Sequence, residues 1–123
     1  MSTSVLTRPL GNGSSLPGNT LTGVTVSPSD VVVVDSCPVI ATSAVKWIYT
    51  CVDSTTNQVT TAEVLATHCD GSSSPSYTIY GVIGNSSLHR TSVVLSGGDI
   101  GLQIANLSNS VLTFNIVRIQ VLA

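Results

Sequence analysis

From Ala44 to Asp53 the chain alternates without a break. Val45, Trp47, Tyr49 and Cys51 fall on one side, and Lys46, Ile48 and Thr50 on the other. A period of two belongs to an extended strand with one buried face. The polar stretch Ser54-Thr55-Thr56-Asn57 follows, and Gln58 to His68 then alternates again. This predicts a β-hairpin. If its turn centres on Thr55-Thr56, Cys51 lies opposite Thr60, and Lys46 lies one diagonal step from Glu63. That step suits an ion pair on the solvated or interfacial face.

The rest of the chain repeats the pattern in shorter pieces. Strands are expected at 21–27, 31–35, 44–53, 58–68, 76–83, 86–96, 100–107 and 111–122, with 39–42 extending the third. Turns fall at Pro28-Ser29-Asp30, at 69–75, at Gly84-Asn85, at Gly97-Gly98-Asp99 and at Ser108-Asn109-Ser110. Gly, Pro, Asn and Ser supply the backbone freedom or local hydrogen bonds that such turns need. Glu63 to Thr67 could make one helical turn, but it sits between β-branched residues. Seven or eight strands at this spacing predict an all-β domain, an antiparallel β-sandwich or jelly roll. In the last strand Leu112, Phe114 and Ile116 alternate inward. Val117, Ile119 and Val121 then take over, which leaves Arg118 and Gln120 outward. That change of phase predicts a β-bulge near Ile116 or Val117, or a strand that switches the face it buries.

Composition agrees. Val, Ile and Leu make up 37 of 123 residues, while Lys and Arg total 4 and Asp and Glu total 6. That apolar content excludes a disordered chain, and the dearth of Glu, Lys and Arg excludes a coiled coil. The longest apolar run, Val31 to Val34, is far below the ~18 residues of a membrane span. Arg8, Lys46, Arg90 and Arg118 are scattered, so no basic cluster exists to neutralise phosphates, and neither nucleic acid nor membrane is expected as a partner. The start of the chain lacks a basic stretch followed by an apolar one, so no secretory signal is read.

Residues 1–20 read as an extended arm, rich in Pro, Gly, Ser and Asn, ahead of a single domain over 21–123. A folded chain of this mass exposes ~6,200 Å², which leaves one charged side chain per ~600 Å², far sparser than soluble monomers carry. Part of the surface is therefore expected to be covered by other subunits.

Candidate chemistry is thin. Cys37, Cys51 and Cys69 contain no C-x-x-C spacing for zinc. A Cys51–Cys69 disulfide would require another hairpin register, so buried reduced thiols are expected. His68-Cys69-Asp70 cannot aim three side chains at one metal from an extended backbone. The cluster reads as a strand end capped by Asp70 and Gly71, with an inter-subunit metal at His68 as the sharper alternative. Asp30, Asp35, Asp53, Asp70 and Asp99 fall at turns, where Asp bonds to backbone. No G-x-S-x-G, phosphate loop or dinucleotide fingerprint is present. The expectation is a protein that is not an enzyme and holds no cofactor or metal.

Several motifs together carry a resemblance. These are Val45-Lys46-Trp47, the strand Glu63 to His68 with Gly71 after it, Tyr77-x-x-Tyr80-Gly81, and Ser96-Gly97-Gly98 before the alternating Ile100 to Ile104. Over about residues 40 to 122 the chain resembles small virion structural proteins of tailed bacteriophages. Cys69 stands between His68 and Asp70, where the resemblance has Asp directly after His. The resemblance implies a β-sandwich that works by assembly, made in the host cytoplasm and carried in the virion. It favours a capsid decoration or cement protein bound across joints of the major capsid protein or another virion protein, as a homo-oligomer with a trimer preferred. The alternative is a tail- or fibre-associated structural or receptor-binding module. Arg8, Leu10 and Leu16 of the arm, with Lys46 and Glu63, are the candidate partner-binding residues. A sugar-binding module would instead place exposed aromatics in a groove, whereas Trp47 and Tyr49 read as core.

Overall fold

A computed structural model describes residues 18–68 and 74–123. The arm residues Arg8, Leu10 and Leu16, and the pair Cys69 and Asp70, lie outside the described residues. Eight strands follow one another: β1 (Gly18–Val26), β2 (Val31–Pro38), β3 (Thr42–Asp53), β4 (Val59–His68), β5 (Pro75–Gly84), β6 (His89–Ser96), β7 (Asp99–Asn106) and β8 (Leu112–Leu122). One 3₁₀ turn, Val39–Ala41, precedes β3, where the sequence suggested more strand. The first strand begins at Gly18 rather than Leu21, so Gly18, Asn19 and Thr20, expected in the arm, pair with Ile119, Arg118 and Val117.

The strands form two antiparallel sheets, ordered β1-β8-β3-β4-β5 and β2-β7-β6. The sandwich expected from the alternation is the observed architecture. The β3–β4 hairpin has the predicted register, with Cys51 opposite Thr60 and Trp47 opposite Val64. A short polar turn leaves little freedom in register, and a slip of one residue would turn Trp47 outward. Asp53 secures the turn by accepting hydrogen bonds from the backbone N–H groups of Thr55 (2.8 Å) and Thr56 (3.3 Å). These bonds hold its carboxyl below the usual carboxylate range.

Between the sheets, Val45, Trp47, Tyr49, Cys51, Val64, Ile100, Leu102, Ile104, Leu112, Phe114 and Ile116 are buried. Each sits at an alternate position of its strand, so burial repeats with the period of two that the sequence shows. Cys37 and Cys51 are free buried thiols, as expected.

The last strand corrects one expectation. β8 carries no bulge where its phase changes, because its pairing with β3 runs in one register from Val121 opposite Ala44 to Leu112 opposite Asp53. The bulge lies across the sheet in β1, between Leu21 and Val24. There Gly23 takes a φ of +68° and its N–H donates to Asn115 Oδ1 at 3.0 Å. Glycine adopts that backbone without the steric cost a side chain would bring. β8 keeps a single phase throughout. Arg118 and Gln120 continue the inward row of Leu112, Phe114 and Ile116, contrary to the outward placement expected for them. Arg118 reaches Asp35 on the facing sheet, and Gln120 Nε2 donates to buried Thr42 Oγ1 at 2.7 Å. Val117, Ile119 and Val121 point away from the core and are 39%, 41% and 56% exposed.

Candidate interaction surface

Two polar clusters between the sheets are potential sites of chemistry. In the first, Asp35 on β2 accepts from Trp47 Nε1 at 2.8 Å and from Arg118 at 2.9 and 3.1 Å. Arg118 also donates to the Ser36 carbonyl at 3.0 Å. Burial pushes the Asp35 carboxyl above its ordinary value, and the Arg118 guanidinium and the Trp47 hydrogen bond oppose the rise. Both side chains are largely enclosed, at 7% exposure for Asp35 and 15% for Arg118. The carboxylate is occupied on both oxygens, so this is a tie between sheets rather than a reactive acid.

In the second cluster Tyr49 Oη lies 2.7 Å from His89 Nε2 and 2.6 Å from Thr91 Oγ1. Phe114 packs edge-on to the His89 ring with centroids 5.5 Å apart. Burial holds His89 below its usual pKa and Tyr49 above its own. His89 Nδ1 is buried without a partner.

Elsewhere the described carboxylates serve turns and pairs. Asp30 and Asp99 sit at the starts of β2 and β7, Asp53 caps its turn, and Glu63 pairs with Lys46. His68 Nε2 lies 2.6 Å from the Thr42 carbonyl oxygen. No group of three or more metal-ligating side chains occurs among the described residues. No helix there is long and apolar enough to cross a membrane.

The unusual surface is the outer face of the five-stranded sheet. Residues opposite one another on paired strands share a face. Val117 lies beside Ile48, Ile119 beside Lys46, and Val121 beside Ala44. Lys46 lies beside Leu65 and Ile48 beside Glu63. Glu63 lies beside Tyr80 and Thr61 beside Ile83. The result is a set of Val, Ile, Leu and Tyr side chains across four strands, interspersed with Thr50, Thr61, Thr67, Thr78 and Asn115, with Leu65 45%, Tyr80 37% and Ile83 71% exposed. Antiparallel sheets with a solvated face ordinarily carry polar residues there.

The charges on this face are the expected pair. Lys46 Nζ lies 2.8 Å from Glu63 Oε1, on the predicted diagonal. Lys46 also sits over the Tyr80 ring, 5.7 Å from its centroid. The hydrogen bond between the pair raises the Lys46 pKa and lowers that of Glu63. Both stay charged near neutrality and cancel, so the pair adds no net charge to a face on which Thr50, Thr61, Thr67, Thr78 and Asn115 stand among the apolar residues.

β5 extends this surface to the edge of the sheet. It pairs with β4 alone in the sheet order. Tyr80 and Ile83 lie on this face, whereas Tyr77 and Ile79, opposite Ala66 and Val64, lie on the inner side of the sheet; all four are at least 37% exposed, and no residue from Pro75 to Gly84 is charged. Trp47 and Tyr49 are buried, as the alternation requires, so the exposed aromatic of this face is Tyr80, with Tyr77 exposed on the opposite side of β5. Lys46 and Glu63 are thus brought together at the centre of this surface. The apolar residues around them escaped the reading of the sequence, although the odd-numbered run Val117, Ile119 and Val121 signalled them once Arg118 and Gln120 are assigned inward.

This antiparallel sandwich is shared with parts of phage tailspike proteins. The tailspike protein of Acinetobacter phage vB_ApiP_P1 superposes with a TM-score of 0.58 at 9% identity, over 98% of this chain and 24% of that one. The tailspike protein gp49 of Acinetobacter baumannii bacteriophage Fri1, a capsular polysaccharide depolymerase, superposes with a TM-score of 0.55 at 20% identity, over 86% of this chain and 17% of that one. The chain therefore spans about a quarter or less of the length of these proteins. No protein-family model matches the sequence, and no curated protein does.

Proposed function

We propose that the chain is a structural module of a phage tail apparatus, of the kind that forms one segment of a tailspike, and that it works by docking against other protein. The observation that carries this is the superposition of nearly the whole chain on a segment of a tailspike. The outer face of the five-stranded sheet, poor in charge and carrying exposed Leu65, Ile83, Val117 and Ile119, supports it, because such a surface suits a contact covered in an assembly. The support favours the tail-associated alternative over capsid decoration. The role assigned is assembly: among the described residues the buried acid Asp35 is tied to Arg118 and Trp47, and no step of polysaccharide cleavage is attributed to this chain. Homo-oligomerisation and the virion as its location belong to the same proposal.

Immunogold electron microscopy tests it, using antibody raised against the purified chain and particles of the phage that carries it. Gold at the tail is the expected result. Gold distributed over the head would return the capsid reading and refute this one, as would particles that bind no antibody.

A further inference from the structure

We infer that the open edge of β5 is the docking site for residues 1–8 of a neighbouring copy of this chain, which add to the five-stranded sheet as an antiparallel sixth strand. The inference names the contact that joins copies in the assembly proposed above, and it rests on that reading only for the presence of such copies.

The edge itself is the first argument. β5 pairs with β4 alone among the described strands. The facing sheet of three strands is too narrow to cover it, since Tyr77 and Ile79 turn to the inner side and are still 43% and 37% exposed. A bare edge invites another chain to pair with it, and proteins blunt such edges with charges, prolines or bulges. The other edges are blunted in this way. β1 is bulged between Leu21 and Val24, β2 between Val33 and Asp35, and β6 carries Arg90. β5 opens with Pro75 and is bulged between Tyr80 and Ile83, where Gly81 takes a φ of +62°. Between those points Ser76 to Tyr80 holds one register on β4, with no charge, proline or bulge.

The arm supplies a matching segment. Met1 to Arg8 contains neither Gly nor Pro and is uncharged in its side chains as far as Thr7, and Gly11-Asn12-Gly13 offers a reversal. β1 and β5 run in the same direction through three antiparallel neighbours. A segment that reverses before entering β1 therefore runs antiparallel to β5, like every pair in this sheet. One row of paired residues crosses the sheet at a single level: Gly18, Ile119, Lys46, Leu65 and Thr78. With the reversal centred on Asn12, Leu6 stands level with Gly18, and so with Thr78 in the middle of the open run. The same register sets Val5 beside Ile79. Main-chain hydrogen bonds supply the affinity of such an added strand, and alternate side chains its specificity.

Reach assigns the segment to another copy. The docking position lies one spacing beyond β5, which is five spacings or ~24 Å from β1. The residues from Gly13 to Gly18 span at most ~18 Å. Where copies stand head to tail, with the β1 edge of one beside the β5 edge of the next, the segment crosses a single spacing. A contact between two different edges closes into a ring by rotation, which suits the trimer expected from the resemblance.

The test combines the absolute mass of the purified full chain, by light scattering, with amide hydrogen exchange. The wild type is expected as a closed oligomer in which the amides of Ser76 to Tyr80 that do not pair with β4 are protected. Val5→Pro with Leu6→Pro removes one backbone donor from each side of the arm, outside the sandwich. This variant should fall to the mass of one chain and lose that protection, with an unchanged β-type circular dichroism spectrum. Val5→Thr keeps the N–H and the extended preference, and should retain both the mass and the protection. An oligomer that survives the double variant overturns the inference, as does a loss of mass with exchange in β5 unchanged. A monomeric wild type whose β5 protection still depends on Val5 and Leu6 overturns it too, because the arm then docks on its own chain. The phage assignment stands or falls on the labelling experiment, so the two can fail separately.

Discussion

Removing Arg118 should expose how much the fold depends on one buried ion pair. Arg118→Ala leaves the Asp35 carboxylate enclosed at 7% exposure, with Trp47 Nε1 as its remaining side-chain donor. Breaking a buried pair by removing one partner typically costs ~3–5 kcal/mol, mostly as the penalty of an uncompensated charge. With an unfolding entropy of ~2.1 cal/mol/K per residue, this chain gains about 260 cal/mol/K at its midpoint, so ~4 kcal/mol lowers Tm by about 15 °C. Burial already raises the folded-state pKa of Asp35 above 3.8, and Arg118 opposes the rise. Without Arg118 that pKa climbs further. An acid with a raised folded-state pKa contributes its full stability below the unfolded value and loses it as pH rises through the folded value. The variant should therefore lose more stability at pH 7 than at pH 4. A second change, Asp35→Asn, removes the charge while keeping an acceptor for Trp47, and should recover ~1–2 kcal/mol at pH 7. Urea unfolding followed by Trp47 fluorescence measures all three proteins. A loss below about 1 kcal/mol at pH 7, an equal loss at both pH values, or no recovery in the double variant would refute the reasoning.

Other perturbations reach other parts of the sandwich. Burial lowers the His89 pKa from 6.5, so its contribution is fully present above that value and falls away as pH drops below it. His89→Leu, in which Tyr49 keeps Thr91, should flatten the decline of the urea midpoint between pH 6.5 and 5; an unchanged slope assigns the decline to other groups. Asn106 Nδ2 donates to the carbonyls of Val26 and Ser110, and its Oδ1 accepts from the Ser108 N–H and hydroxyl. Asn106→Ala should cost at least ~2 kcal/mol in chemical denaturation, because buried carbonyls lose their donors; a neutral result would mean water replaces the side chain. Burial pushes the Cys51 thiol up to about 12 and raises Cys37 as well. Both should resist iodoacetamide in the native state and label on unfolding, as read by peptide mass spectrometry.

The β3–β4 hairpin shows how far local information reaches. Its register follows from a four-residue polar turn and one strict alternation, both contained between Ala44 and His68. Lys46 and Glu63 could therefore be paired in advance, and they lie 2.8 Å apart. β8 shows where that information stops. Val117, Arg118, Ile119, Gln120 and Val121 alternate equally well with either set inward, and hydrophobicity favours the wrong one. The choice is made by Asp35, 83 positions away in sequence, which ties Arg118 to the facing sheet. The bulge was likewise displaced, since a phase change along β8 says nothing about Gly23 across the ladder.

The sequence by itself determined that the chain is all β, where nearly every strand lies, and that Val45, Trp47, Tyr49 and Cys51 face the core. These follow from side chains that alternate every residue and from turn residues that interrupt them, and both are local properties of an extended backbone. Tertiary structure alone decided that β8 sits between β1 and β3, that an arginine rather than isoleucines continues the inward row, and that Val117 and Ile119 share an outer face with Leu65 and Tyr80. Those outcomes depend on contacts between residues far apart in sequence, where a buried charge must find its counter-ion before any preference of its own strand can be satisfied.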